Sequence, residues 1–351
     1  MRIRGFGGWL TSQGIGFTPV EVAAPASGEI QPASPSQREP SELYGLAREL
    51  HVDEGWLREV VELLEDPRKH QVIFYGPPGT GKTYIARKLV GFLTGGDPQR
   101  SETVQFHPSY SYEDFVQGYR PRPGPDGSLS YALADGPLVR LAGAASEAPN
   151  SRHILLIDEL NRGNLPRIFG ELLYLLEYRD EKVTLMYSGE GAESFSLPDN
   201  LWILGTMNTA DRSIGLIDAA LRRRFHFVPL FPDEPPLGGL LRRWLSQEAP
   251  SMGHVATYVD RLNARLRERF GRSLQVGPSH FMVKDLDDAK LESIWKYDIM
   301  PFLEDQLFGH EDELEAFSLK ALASGHPAVA SGAQNEAGYA DDQAQRIRGD
   351  A

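Results

Sequence analysis

Apolar positions along this chain follow two rhythms. Short apolar runs of strand length occur at Val72-Ile73-Phe74-Tyr75, Thr103-Val104-Gln105-Phe106, His153-Ile154-Leu155-Leu156-Ile157, Leu201-Trp202-Ile203-Leu204-Gly205-Thr206 and Phe225-His226-Phe227-Val228-Pro229-Leu230. Each is bounded by turn residues or charge, which predicts strands, with those at His153 to Ile157 and Leu201 to Thr206 buried. Helical spacing appears between and around them, in Tyr84 to Val90, in the leucine-rich stretch Leu165 to Tyr178 and in Ile214 to Arg224. Ahead of the first strand, Leu43, Leu46, Leu50, Trp56, Leu57, Val60, Val61 and Leu64 keep helical spacing with a break near Val52 to Gly55, so two short helices are expected before Pro67. Asp126-Gly127 predicts a surface hairpin, and Lys182 to Leu197, turning at Gly189-Glu190-Gly191, a second one. Strands interleaved with helices predict an open α/β sheet. Beyond Phe231 to Pro236 the rhythm turns wholly helical, over Leu237 to Gln247, His254 to Phe270 and Ala289 to Leu307, which predicts a smaller helical domain. Val22 to Ser41 reads as a linker, the residues after about Lys320 as disordered, and no internal repeat is present.

Composition narrows the classes. The 351 residues carry 49 acidic against 36 basic side chains, a net charge of −13, so bulk electrostatics oppose adhesion to DNA or anionic lipid. DNA contact is therefore expected only through a local basic patch or a partner. The absence of cysteine excludes thiol catalysis, disulfides and cysteine-ligated metals, and fits a cytoplasmic location. No apolar run reaches the ~20 residues of a membrane helix. Basic residues in Met1-Arg2-Ile3-Arg4 precede a mildly apolar stretch, but Thr11, Ser12, Gln13 and several glycines interrupt it, so a non-secreted protein is expected.

Chemistry enters at Gly76-Pro77-Pro78-Gly79-Thr80-Gly81-Lys82-Thr83, between the first strand and the helix that begins near Tyr84. Glycines let the backbone curl until its N–H groups and the positive end of the helix converge on one anion site. Such a loop binds nucleotide phosphates, with Lys82 reaching the β- and γ-phosphates and Thr83 ligating Mg²⁺. Tyr84 completes the candidate nucleotide-binding stretch.

Asp158-Glu159 closes a buried strand, where ligands gather in open α/β sheets. Two acids there either cap the next helix or serve the nucleotide. Downstream of a phosphate loop the second reading is preferred, with Asp158 holding Mg²⁺ through water and Glu159 orienting or deprotonating the attacking water. Asn208, at the tip of another strand, is the candidate γ-phosphate sensor. Asn208-Thr209-Ala210-Asp211 also resembles, loosely, the guanine-reading tetrad of small GTPases, but its lysine is missing. Arg222, Arg223 and Arg224 end a helix. One or two cations there complement the helix dipole, and three exceed that need, which suits an arginine delivered to a neighbour's γ-phosphate.

Together Gly76 to Thr83, Ile157-Asp158-Glu159-Leu160-Asn161-Arg162-Gly163-Asn164, Met207 to Ser213 and Ala220 to Phe225 resemble the McrB-type AAA+ NTPases, motor subunits of modified-cytosine-dependent restriction systems. Phe106 to Pro121 and Val276-Gly277-Pro278-Ser279-His280-Phe281 are similar to that family's own segments. The resemblance implies a five-stranded αβα nucleotide domain with a helical lid, assembled as a ring, expected to be a hexamer, with sites between subunits. It implies that Asn208 is the first sensor, that Asp211 and Arg212 help build the interface site, and that Arg223 and Arg224 act in trans. It also implies Mg²⁺, GTP or ATP, and an McrC-like nuclease partner.

The expected organisation is a tail and linker over 1–41, a helical lead-in over 42–66, the nucleotide domain over 67–231, the lid over 232–320 and a disordered tail over 321–351. About 40 residues precede the motor, so the family's N-terminal DNA-reading domain is not expected here. His280 stands in the lid without a nearby Gly-x-Arg, so a second-sensor arginine is not expected either. Two other readings are a MoxR or dynein-related remodelling ATPase, and an assembly module that binds nucleotide without hydrolysis. Intact Asp158, Glu159, Asn208 and Arg223 argue against the last.

Overall fold

A computed structural model describes residues 40–123, 128–189, 194–210 and 219–324. The chain enters through α1 (Pro40–Leu50) and α2 (Glu54–Glu65), the second capped by Asp53, whose carboxylate accepts from the Trp56 amide. Then follow β1 (Gln71–Gly76), α3 (Lys82–Thr94) and β2 (Ser101–Gln105). Next come the single turn α4 (Tyr112–Phe115), the ribbon β3 (Gln117–Pro123) and β4 (Leu129–Asp135), and α5 (Pro137–Glu147). The strands β5 (His153–Asp158), β6 (Leu201–Asn208) and β7 (His226–Pro229) complete one five-stranded sheet in the order β2-β5-β6-β1-β7. All its pairings are parallel. This is the five-stranded αβα arrangement that the family resemblance implies.

The period-two rhythm explains why helices cover both faces. Val72, Phe74, Ile154, Leu156, Trp202 and Leu204 point to one side and pack with Leu57, Val60, Ile85 and Leu89 of α2 and α3. Their alternates Ile73, Leu155, Ile157, Leu201 and Ile203 point to the other, against Phe106, Phe115, Leu138, Leu141 and Phe169. Fully burying each such side chain is worth about 1.5–3 kcal/mol, so a one-residue register slip is strongly disfavoured. The aromatic stretch from Phe106 divides by role. Phe106, Tyr112 and Phe115 are buried, whereas Tyr119 stands exposed on the β3–β4 ribbon.

Three expectations need correction. Leu165 to Tyr178 is not one helix but α6 (Leu165–Phe169) and α7 (Leu172–Leu175), parted at Gly170, where φ is +51° and the Tyr112 ring lies against the backbone. The segment 182–197 forms a single bridge, Val183 with Phe195, rather than strands among the described residues. The helical domain also runs past Lys320, since α13 (Leu319–Ser324) buries Leu322 completely.

That domain contains α9 (Leu240–Glu248), α10 (His254–Phe270), α11 (Asp288–Ile294) and α12 (Met300–Gln306), the last two joined through one π-helical turn at Trp295–Ile299. Its core gathers Trp244, Leu245, Val259, Leu262, Phe281, Trp295, Leu303 and Phe317. The Trp295 indole N–H donates to the Phe317 carbonyl at 3.0 Å, so its one polar atom is satisfied on burial. The short α8 (Ala219–Arg222) precedes β7. Asp211, Arg212 and the first residues of the helix expected from Ile214 lie outside the described residues.

Candidate active site

The parallel sheet brings the carboxyl ends of β1, β5 and β6 side by side. Gly76 pairs in register with Asn208, and Gln105 with Asp158. Residues far apart in sequence, Lys82, Thr83, Asp158, Glu159 and Asn208, are thereby collected at the carboxyl end of the sheet.

The loop curls through two left-handed glycines, Gly79 with φ +74° and Gly81 with φ +81°, and Gly81 leads directly into α3. Lys82 is buried, with Nζ donating to the carbonyls of Gly76 at 3.0 Å and Pro77 at 2.7 Å and to the Thr80 hydroxyl at 3.3 Å. Three neutral oxygens of the loop are thus among the partners of its charge. Tyr84 lies in the first turn of α3 with its ring exposed and the Lys88 ammonium 5.6 Å from its centroid.

The Thr83 hydroxyl donates to Asp158 Oδ1 at 2.7 Å, and the Thr206 hydroxyl donates to the same oxygen. Thr206 Oγ1 in turn accepts the Glu159 amide at 3.2 Å. One threonine therefore orients both acids. Glu159 adopts φ +53°, a left-handed conformation that costs a non-glycine residue about 1–2 kcal/mol and turns its side chain out of the strand. Its carboxylate accepts from Asn208 Nδ2 at 2.5 Å and from Arg162 Nε at 3.2 Å. Asn161 donates its amide to the Asn208 carbonyl at 3.1 Å. Asn161 Oδ1 and Thr209 Oγ1, both buried, have no hydrogen-bond partner among the described residues.

The arginines sit elsewhere. The Arg224 carbonyl accepts from Gln71 Nε2 at 2.7 Å, and Gln71 is the first residue of β1 whereas Gly76 is the last. Five steps of about 3.3 Å put that point roughly 17 Å from the phosphate loop. Gln71 is itself locked, donating its other amide hydrogen to the Leu176 carbonyl and accepting on its oxygen from Arg179 Nη2. Burial lowers Arg179 to about 10, and Pro198 and Leu201 carbonyls take its remaining contacts. Arg223 and Arg224 both reach Glu177, at 2.9 and 3.0 Å, but the Arg223 side chain is 61% exposed and that of Arg224 11%.

Residues 71–225 match the AAA domain of the dynein-related subfamily, and residues 254–315 the α-helical lid domain of McrB. The chain belongs to the McrB-like AAA+ proteins. Over 271 residues it is 38% identical to the type IV methyl-directed restriction enzyme EcoKMcrB subunit of Escherichia coli strain K12, an alignment covering 72% of this chain and 57% of that one. The chain thus spans little more than half the length of that relative. Over 304 residues it is 26% identical to the type II restriction enzyme BsuMI component YdiS of Bacillus subtilis strain 168, covering 76% and 87% of the two chains. A 199-residue match at 26% identity to cortactin-binding protein 2 of Atelerix albiventris covers 55% of this chain and 11% of that one.

The match to the AAA domain and the likeness to the McrB subunit support a nucleoside triphosphatase. Among its described residues no helix is long and apolar enough to cross a membrane. Sequence reasoning assigned no role to Thr206 or Asn161. The signal was a polar residue near the end of an otherwise apolar strand, and an asparagine that the McrB-like fold buries.

Proposed function

We propose that the chain is the nucleotide-hydrolysing motor of a two-component restriction system, working as a ring, with a hexamer as the expected number, whose sites lie between subunits. The carrying observation is the separation within one chain of Arg223 and Arg224 from the phosphate loop, since Gln71 ties the Arg224 backbone to the far end of β1. An arginine side chain spans less than half of those roughly 17 Å, so Arg223 or Arg224 would reach a γ-phosphate only from a neighbouring subunit. Arg223, the exposed member of the pair, is assigned that role. Arg224 holds the helix end in place through Glu177.

In this reading the loop amides and Lys82 hold the phosphates. Thr83 and Asp158 offer hard oxygens 2.7 Å apart and fit Mg²⁺, which when bound would neutralise phosphate charge. Glu159 takes or orients the proton of the attacking water, and Asn208 fixes the Glu159 carboxylate and faces the γ-phosphate. The orphaned oxygens of Asn161 and Thr209 support a polar guest near this pair. Positioning and charge complementarity supply most of such catalysis. Asp211 and Arg212 are assigned to the interface.

The proposed partner is an McrC-like nuclease subunit, with DNA reached through it and a cytoplasmic location. The McrB lid match favours this over a MoxR-like remodelling role. The test is hydrolysis of GTP and ATP against chain concentration, with and without that partner. Turnover per chain should rise with concentration and again with partner. Turnover independent of both would remove the ring reading.

A further inference from the structure

The segment 276–280 of the lid lies directly on the phosphate loop. The Gly277 amide donates to the Pro78 carbonyl at 3.0 Å, and the Ser279 amide to the Gly79 carbonyl at 2.9 Å. In a trans peptide the carbonyl and the following N–H point in opposite directions. Turning the Pro78 and Gly79 carbonyls toward the lid therefore turns the Gly79 and Thr80 amides away from it, to the concave side of the loop where an anion is held.

The contact is close enough to demand particular residues. A Cβ on Gly277 would lie 1.9 Å from the Gly79 carbonyl carbon and 2.3 Å from the Thr80 nitrogen. The His280 ring covers Gly79 from the same side, 2.4 Å from where a Cβ on that glycine would stand. Behind the segment, the buried Asn263 of α10 grips the Val276 backbone at both ends, donating to its carbonyl at 2.9 Å and accepting its amide at 2.7 Å. The lid core, through Asn263, thus fixes the strip that fixes the loop.

We infer that Val276 to His280 is a backbone clamp that holds the phosphate loop in its anion-binding conformation, with Gly277 and His280 as positioning residues. This rests on the loop binding nucleotide phosphates, as proposed above. Lid docking and phosphate affinity are then coupled, because an undocked lid leaves the Pro78 and Gly79 peptides free to rotate and lose their convergence. The clamp acts on phosphate rather than base, so GTP and ATP are affected alike.

The experiment measures binding of non-hydrolysable GTP and ATP analogues and of pyrophosphate to the full chain, alongside its melting temperature without nucleotide. Gly277→Ala should weaken binding of all three ligands by about tenfold, the equivalent of one to two lost hydrogen bonds, while the nucleotide-free melting temperature stays near that of the parent. His280→Ala, which leaves both backbone bonds in place, should weaken binding less. Hydrogen exchange on the unmodified chain gives a reading that needs no variant: the Gly277 and Ser279 amides, which donate to the loop, should be protected without ligand, and pyrophosphate should slow them further together with the Gly79 and Thr80 amides. Parent-like affinity in Gly277→Ala, or a lid strip that exchanges freely whatever the ligand, overturns the clamp and leaves the phosphate loop standing. A parent chain that binds none of the three ligands overturns both.

Discussion

Asn208 donates its side-chain amide to Glu159 across adjacent strand ends, at 2.5 Å, so the proposed γ-phosphate sensor and the proposed water-orienting carboxylate hold each other. Both are braced from behind, Glu159 by Arg162 and the Asn208 backbone by Asn161.

If this pair runs the hydrolytic step, Glu159→Gln should bind nucleotide normally, because the phosphates are held by the loop, while turnover falls by about 10²-fold or more. Asn208→Ala should lower turnover by about 10²-fold with little change in affinity. Steady-state hydrolysis paired with analogue binding separates the two effects. Normal turnover in Glu159→Gln would falsify the assignment.

Lys82→Ala should act at the other step. The ammonium is already desolvated inside the loop, so its removal costs phosphate binding directly. Affinity for pyrophosphate should drop by at least about tenfold, read by calorimetric titration. Unchanged affinity contradicts the role of the loop.

Arg223 and Arg224 should part company on mutation. Arg223 makes an exposed pair, worth about 0–1 kcal/mol, so Arg223→Ala should leave the melting temperature nearly unchanged yet abolish concentration-dependent turnover. Mixing Arg223→Ala with Glu159→Gln should restore activity at those interfaces that combine an intact glutamate with an intact arginine. No restoration in mixed rings counts against delivery in trans. Arg224→Ala should mainly lower stability, because it loosens the helix end that Gln71 and Glu177 retain.

Acid should destabilise the fold in a window set by histidine. Burial lowers His51, His70, His153, His226 and His280 below the ordinary 6.5. The folded chain then binds fewer protons than the unfolded one, so stability is full above 6.5 and falls as pH drops below it. Carboxylates held down by hydrogen bonds, Glu113 by Tyr187 and Asp66 by Arg68, add a second loss at lower pH. Melting temperatures across pH 8 to 5 check this, and a flat profile contradicts it.

Local rules carried much of this. The strand, glycine-rich loop and helix around Gly76 to Thr83 follow from neighbours in sequence, since phosphate loops are built from consecutive amides. The five strands followed from apolar runs, and the acids from their place at a strand end. A helix break at Gly170 was not legible, because helical spacing continues through it and the Tyr112 ring that packs there comes from a distant element. Leu322 likewise lies in a small-residue stretch and is buried only because the lid core receives it.

The sequence by itself therefore determined which side chains could do nucleotide chemistry, through residue type and spacing. Only the tertiary structure decided which of them meet. Parallel register aligned Gly76 with Asn208, Thr206 joined the two acids, Gln71 carried the arginines to the opposite end of the sheet, and Gly277 met Pro78 from the lid. Each of these is a contact between remote segments, set by sheet order and domain packing, which local periodicity does not encode.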